Sequence, residues 1–415
     1  MTWKIFALCL LLLTALWDLL LDILSLRSEN NPTPDNVRDV YDAEAYQKWR
    51  KYHREGIVLD GVFSGVEVII TALLLIFNVP SRAAGNISSW YWAAIAVLLV
   101  DTAIRIVPHT AHDYISTMLV EQKYGFNRTT QKTFWTDQLK NLALSLLLAT
   151  GLLCLFIALY QALGDRMVVL FAVLLFIFIL LLAFLSPHLL KIFNQFTPLE
   201  DGNLKDKLTT LLEKNGYHVR GIKVMDASRR STKSNAFFTG FGKSKTIVLY
   251  DTLLESSTTD EICAVFAHEM GHGIHKDTLK NQIIAFAEVI VISLLAWLLV
   301  RWPELYQAFG FERVNYGMAL FLLSYCVLPI VSPLMGLISA WYSRRAEYRA
   351  DQKAAEEGYG EALISALKKL SRENFANLAP DPLVVRLAYD HPTLSQRIDA
   401  IERTSHSAKV EKAQR

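Results

Sequence analysis

Seven runs of mostly apolar residues alternate with polar segments along the chain: Trp3 to Leu26, Ile57 to Val79, Trp90 to Val107, Leu139 to Leu163, Met167 to Leu185, Asn281 to Val300 and Gly317 to Tyr342. An α-helix rises 1.5 Å per residue, so a run of about twenty residues is long enough to cross the hydrocarbon of a bilayer. The pattern predicts an α-helical integral membrane protein with seven transmembrane helices. The first run carries Asp18 and Asp22 and no small-residue cleavage site, and reads as a retained helix, not a removable signal peptide. Four regions follow. Residues 1–186 hold helices one to five, 187–280 a polar catalytic segment, 281–342 helices six and seven, and 343–415 a polar helical segment.

Composition agrees with this reading. Of 415 residues, 52% are hydrophobic and 20% charged, with a mean hydropathy of +0.26, which excludes an ordinary soluble, disordered or collagenous chain. The four cysteines, Cys9, Cys154, Cys263 and Cys326, lie in apolar or helical segments without CxxC spacing, so no disulfide framework or thiolate metal site is expected. A net charge of +2 gives no footprint for nucleic acid, and none is expected as a partner. Charge speaks instead to topology. Basic residues crowd the loops after the first run (Arg27, Arg38, Lys48, Arg50, Lys51, Arg54) and the third (Lys123, Arg128, Lys132), whereas those after the second and fourth offer Arg82 and Arg166. By the positive-inside rule the N-terminus is expected outside, in periplasm or lumen, and both polar segments in the cytoplasm. Asp18, Asp22, Asp60, Glu67, Asp101, Arg105 and Glu288 sit in or near the runs. They read either as pairs near helix ends, with Asp101 and Arg105 one turn apart, or as the lining of a wet internal chamber.

The chemistry concentrates between the fifth and sixth runs. His268-Glu269-Met270-Gly271-His272 is an H-E-x-x-H motif in a helix-periodic apolar context. One helical turn places both imidazoles on one face, where they can share a zinc ion, and Glu269 is placed to take a proton from a water activated there. A catalytic zinc wants a third protein ligand. Just after the seventh run, Ser343-Arg-Arg-Ala-Glu347-Tyr-Arg-Ala-Asp351 offers Glu347 as that ligand and Asp351 as a carboxylate to orient a ligating histidine. His272 lies nine residues before Asn281, about 13 Å of helix from the sixth run, so both ligand segments are expected at one membrane face.

Upstream, Ser231 to Tyr250 runs β-branched and aromatic on either side of Gly242-Lys-Ser-Lys and predicts a hairpin. It reads either as an ordinary structural hairpin or as an exposed strand that takes an extended peptide on its edge, with Asn235, Ala236 and Phe237 against the substrate. Near the end, Tyr389-Asp390-His391-Pro392-Thr393 enters a helix with Thr393 available as its cap, and His391 or Arg397 is a candidate to stabilise an oxyanion, against the reading of a surface histidine. His109 and His112 have H-x-x-H spacing without a third ligand nearby, and His275 is not required by a three-ligand site.

In combination these segments resemble the type-I CAAX prenyl proteases. The resemblance covers nearly the whole chain: Glu121-Gln-Lys-Tyr-Gly125-Phe126-Asn127, Lys233-Ser-Asn235-Ala-Phe-Phe-Thr-Gly240-Phe, Asp251-Thr-Leu-Leu-Glu255, His268-Glu-Met-Gly-His272, Glu347-Tyr-Arg-Ala-Asp351 and His391-Pro392 occur in this order. It implies seven helices forming a barrel around a large water-filled chamber, capped by a metalloprotease domain with one zinc ion on His268, His272 and Glu347. It also implies Glu269 as catalytic base, Asn235 on the substrate backbone and His391 near the oxyanion. The implied activity is endoproteolysis of C-terminally prenylated CAAX proteins or peptides by a monomer in a lipid bilayer. Met270 and Gly273 depart from residues common in the family without touching the zinc chemistry. The ending Glu-Lys-Ala-Gln-Arg has no dilysine-type signal, which favours a bacterial inner membrane over the endoplasmic reticulum. Two rivals remain: a quality-control membrane protease, and a transporter or scaffold in which a fourth ligand such as His275 closes a structural zinc site.

Overall fold

The computed structural model describes residues 2–216, 218–239 and 246–414 of a mostly helical membrane protein. The first half is α1 (Thr2–Ser28), α2 (Ala43–Ile76), the short α3 (Val79–Ala84), α4 (Trp90–Tyr114), α5 (Gln122–Tyr124), α6 (Gln131–Leu163) and α7 (Met167–Leu190). Local chemistry sets several starts: Asp42, Ser89 and Thr130 each cap a helix by accepting from a backbone N–H of its first turn. The second half is α8 (Asn203–Lys214), α9 (Asp251–Ser256), α10 (Thr259–Ile274), α11 (Asp277–Val300), α12 (Pro303–Gln307), α13 (Tyr316–Leu322), α14 (Leu328–Ala354), α15 (Gly360–Glu373), α16 (Pro382–Ala388) and α17 (Leu394–Gln414).

Among the described residues, 6 helical stretches are long and apolar enough to cross a membrane. The seven apolar runs map onto these six because the fourth and fifth runs share one stretch, Gln131–Leu185. That stretch is broken at the tight turn Gly164–Arg166, where Gly164 takes a left-handed φ of 55° that a side chain would resist.

The connections sort into two ends. At one, Lys4 donates to Asn78 (2.8 Å), Arg313 donates to the carbonyl of Ile87 (3.0 Å) and Trp297 donates to Asp165 (2.9 Å). At the other, Asn31 donates to the Ala379 carbonyl (2.9 Å), Lys368 to Asp39 (2.7 Å), and the Arg128 amide to the Arg230 carbonyl (2.9 Å). The loops after the first and third apolar runs therefore pack on the polar segments, and the N-terminus lies at the opposite end. Between the ends, Asp101 and Arg105 pair on one helix face at 2.7 Å. Arg105 also pairs with Glu67, donates to Thr71 (2.8 Å) and lies 3.8 Å from the ring centre of Tyr325. A cavity of about 420 Å³ opens beside this network, with Thr102, His109 and Asn141 also in its wall.

A four-stranded sheet organises the polar domain: β1 (Phe196–Pro198), β2 (Gly221–Met225), β3 (Ala236–Thr239) and β4 (Thr246–Tyr250), in the order β1-β2-β4-β3. β2 runs parallel to β4, with Ile222 opposite Ile247. β3 runs antiparallel to β4, with Ala236 opposite Leu249 and Thr239 opposite Thr246. The hairpin strands thus form as expected, while the connecting residues Gly240 to Lys245 lie outside the described residues. β3 is an edge strand and packs beside α10. The inner residues Ile247 and Leu249 bury against Ile262, Cys263, Phe266 and Met270 of α10, which is buried around most of its circumference. All four cysteines are free.

Candidate metal centre

α10 starts with a reciprocal cap: the Glu261 amide donates to Thr258 and the Thr258 amide donates to Glu261. The helix then presents His268 and His272 on one face, their rings 4.9 Å apart and perpendicular. α14 crosses it and supplies Glu347. Nε2 of His272 is 3.2 Å from Glu347 Oε1, and Nε2 of His268 is 3.5 Å from Glu347 Oε2. The donor atoms of His268, His272 and Glu347 lie within 4.8 Å of one another, and among the described residues no other group of three or more such side chains forms. His275 does not join it, so the group has three donors and not the closed four of a structural site.

Close approach of the two helices depends on Gly271. A Cβ at that position would stand 2.9 Å from Ala350 Cα and 3.2 Å from Lys353 Cβ. Glycine in the x-x of the motif therefore lets α14 come near enough for Glu347 to meet both histidines.

Each histidine is held from behind by a carboxylate. Asp351, fully buried, lies 2.9 Å from His268 Nδ1. Asp277 lies 3.1 Å from His272 Nδ1 and also accepts from Tyr342 (2.6 Å) and Arg349 (2.8 Å). The carboxylates at Nδ1 turn the Nε2 atoms of both rings toward Glu347, the orientation a ligating histidine needs. Asp277 was not among the residues expected from the sequence. Its signal is slight: Lys276 takes a left-handed turn (φ 56°) that folds the first residue of α11 back onto His272.

The fit to a divalent cation can be read from the charges. Four carboxylates, Glu269, Glu347, Asp277 and Asp351, converge here with Arg349, Arg397 and the two histidines. Glu347 Oε2 is buried with no hydrogen-bond donor in suitable geometry, although Arg397 Nη1 is 3.2 Å away. An unsatisfied buried carboxylate oxygen between two imidazoles is the donor set a zinc ion requires. Burial by itself would lower the pKa of His272, but Glu347, Glu269 and Asp277 outweigh it and lift the value to about 9. Burial pushes the Glu269 carboxyl above its ordinary range, opposed by His268 and His272.

The C-terminal segment closes over the same place. His391 Nε2 is 3.4 Å from Glu347 Oε1, its Nδ1 is 2.7 Å from Asp390, and its side chain remains 55% exposed. The Asp390 carboxylate against Nδ1 raises the His391 pKa above its ordinary value, in spite of partial burial. Thr393 caps α17 as expected, accepting from the Gln396 amide. Arg397 stands differently from His391: it is bound by Asp351 through two nitrogens (2.8 and 2.6 Å), its Nη1 lies 3.2 Å from Glu347 Oε2, and its side chain is only 12% exposed. Asn235 is exposed just before β3, and its Oδ1 accepts from the Ala236 amide (2.8 Å). Ala236 is buried and Phe237 packs edge-on to Tyr250. His112 pairs with Asp60 (2.8 Å) and His109 faces Glu67 (3.7 Å), both away from this centre.

Comparison with known proteins agrees with the geometry. Residues 198–405 match the description "Peptidase family M48", and residues 22–195 match "CAAX prenyl protease N-terminal, five membrane helices". The chain belongs to peptidase family M48. It is 34% identical to CAAX prenyl protease 1 of Saccharomyces cerevisiae over 71% of this chain and 69% of that one. It is 30% identical to the Arabidopsis thaliana CAAX prenyl protease 1 homolog over 93% of this chain and 94% of the relative. The crystal structure of S. mikatae Ste24p superposes with a TM-score of 0.89 at 28% identity, covering 96% of this chain and 99% of that one. This member of the M48 family is therefore a membrane metallopeptidase.

Proposed function

We propose that the chain is a one-zinc endopeptidase that removes C-terminal residues from prenylated CAAX proteins or peptides at a membrane surface. The observation that carries this is the three-donor group of His268, His272 and Glu347 with Glu269 set between the two histidines. Support for the substrate comes from relatives named CAAX prenyl protease 1 that align over most of the chain.

Zinc held there would supply a Lewis acid that polarises the scissile carbonyl and acidifies water. The chain's own residues do the rest. Glu269, with its raised pKa, accepts the proton of the attacking water and delivers it to the leaving amine. His391, exposed and facing Glu347, donates to the developing oxyanion. Arg397 holds Asp351 and Glu347 in place, and Asp351 with Asp277 fixes the imidazoles. The free edge of β3 takes the substrate as an added strand, with Asn235, Ala236 and Phe237 along it.

We also read seven crossings. The Gln131–Leu185 stretch of 55 residues is far longer than the ~20 needed to cross once, and Gly164–Arg166 divides it. Cavities with charged and polar residues in their walls favour a wet chamber between the helices: the one beside Arg105, and another of about 510 Å³ lined in part by Asn281, Glu288, Ser339, Ser343 and Asp390. Since the two basic loops pack on the metal domain, that domain is cytoplasmic and the N-terminus external. The four regions, residues 1–186, 187–280, 281–342 and 343–415, serve as membrane, catalytic, membrane and third-ligand segments.

The test is cleavage of a fluorogenic CAAX peptide, farnesylated and unfarnesylated, by detergent-purified protein beside a Glu269→Gln control. Faster, metal-dependent cleavage of the farnesylated form supports the proposal, and equal rates for both leave a general membrane endopeptidase.

A further inference from the structure

Lys233 stands two residues before Asn235 and takes no part in the metal centre. Its ammonium donates to Glu121 (2.8 Å) and to the Tyr52 hydroxyl (3.1 Å). It also lies 4.9 Å from the ring centre of Phe126 and 5.6 Å from that of Tyr52. The pair is sheltered, with the Lys233 and Glu121 side chains 31% and 24% exposed. These partners belong to the membrane half of the chain: Tyr52 to α2, Glu121 and Phe126 to the connection between α4 and α6. The aromatic floor continues through Tyr52 and Phe126, 5.2 Å apart, to Phe375 beyond α15, 4.8 Å from Phe126.

The backbone on either side is tied to the same place. The Thr232 amide donates to the Phe126 carbonyl (3.0 Å), Asn127 bridges to Ser231, and Thr252 donates to the Lys233 carbonyl (3.0 Å). Two residues of extended chain, about 7 Å, separate Lys233 from Asn235 and the start of β3. A displacement at Lys233 therefore passes directly to the open edge beside α10.

We propose that Lys233 is a positioning residue whose clasp by Glu121 and Tyr52 anchors the entry of β3 to the membrane loops, setting where a peptide on that edge lies relative to the metal centre. This rests on the edge-strand reading given above. A peptide misplaced equally in ground and transition states changes KM, whereas loss of the metal or its base changes kcat.

The experiment uses zinc-loaded, full-length protein. Lys233→Met keeps the apolar stem over Phe126 and removes the charge. Losing a charged hydrogen bond at the edge should raise KM for the farnesylated CAAX peptide about tenfold and leave kcat within about twofold. Zinc content and Tm should stay at the wild-type level, and amide hydrogen exchange should accelerate over residues 231–237. The exchanged pair E121K/K233E should restore both KM and protection. Wild-type KM and protection in K233M would overturn the inference, as would a loss that merely follows zinc content and Tm. Should the wild-type protein cleave no CAAX peptide, the proposed substrate fails. Exchange then decides the clasp: acceleration over 231–237 that the exchanged pair reverses upholds it, and unchanged protection defeats it.

Discussion

Asp277 accepts a hydrogen bond from Nδ1 of His272 at 3.1 Å, and by this contact the first residue of a membrane helix orients a residue of the metal centre. The same carboxylate is gripped by Tyr342 and Arg349 of α14, the helix that also carries Glu347. Three elements, α10, α11 and α14, thus meet on one buried acid.

Asp277→Asn keeps the shape of this junction and removes its charge. Orienting partners of metal-bound histidines are typically worth about 10- to 100-fold in metal affinity. A chelator competition for zinc should show a loss in that range, and zinc affinity unchanged from wild type would refute the role.

Glu269→Gln and Glu347→Ala should separate chemistry from metal binding. The first is expected to keep stoichiometric zinc by elemental analysis while peptide cleavage falls at least about 100-fold, since general-base catalysis supplies that much. The second should lose zinc as well as cleavage. A Glu347→Ala protein with full zinc occupancy would move the third ligand elsewhere, with Asp351 next in line.

Gly271→Ala sets two effects against each other. Alanine favours a helix interior over glycine by about 1 kcal/mol, but the new Cβ meets the Ala350 backbone at 2.9 Å. Backbone cannot swing aside as a flexible side chain does, so overpacking of about 1–3 kcal/mol should win. Thermal unfolding in detergent should show a lower Tm and earlier zinc release; a raised Tm would mean the helices are less tightly apposed.

Arg105 is 2% exposed and neutralises Glu67 and Asp101 inside the membrane half of the chain. Arg105→Met leaves those carboxylates without their counter-charge and should destabilise by about 3–5 kcal/mol, the cost of breaking a buried pair from one side. Adding Glu67→Gln should recover part of the lost Tm. Additive losses in the double variant would show that the two residues do not act as a pair.

Periodicity and local spacing made much of this molecule legible. Apolar runs marked the membrane helices because crossing hydrocarbon demands length and composition that a window of the sequence displays. H-E-x-x-H disclosed His268, Glu269 and His272 because their geometry lies within one helical turn, and Glu347 with Asp351 could be guessed for the same reason. Tertiary structure decided what no local window contains. Glu347 reaches both imidazoles only because Gly271 lets α14 approach. Arg397 is held between Asp351, which claims two of its nitrogens, and Glu347, both on another helix. Asp277 and Lys233 acquire partners far along the chain, from a left-handed turn in one case and from membrane loops in the other. Such contacts depend on how helices cross and on which buried charges find each other, and both are settled only when the whole chain has packed.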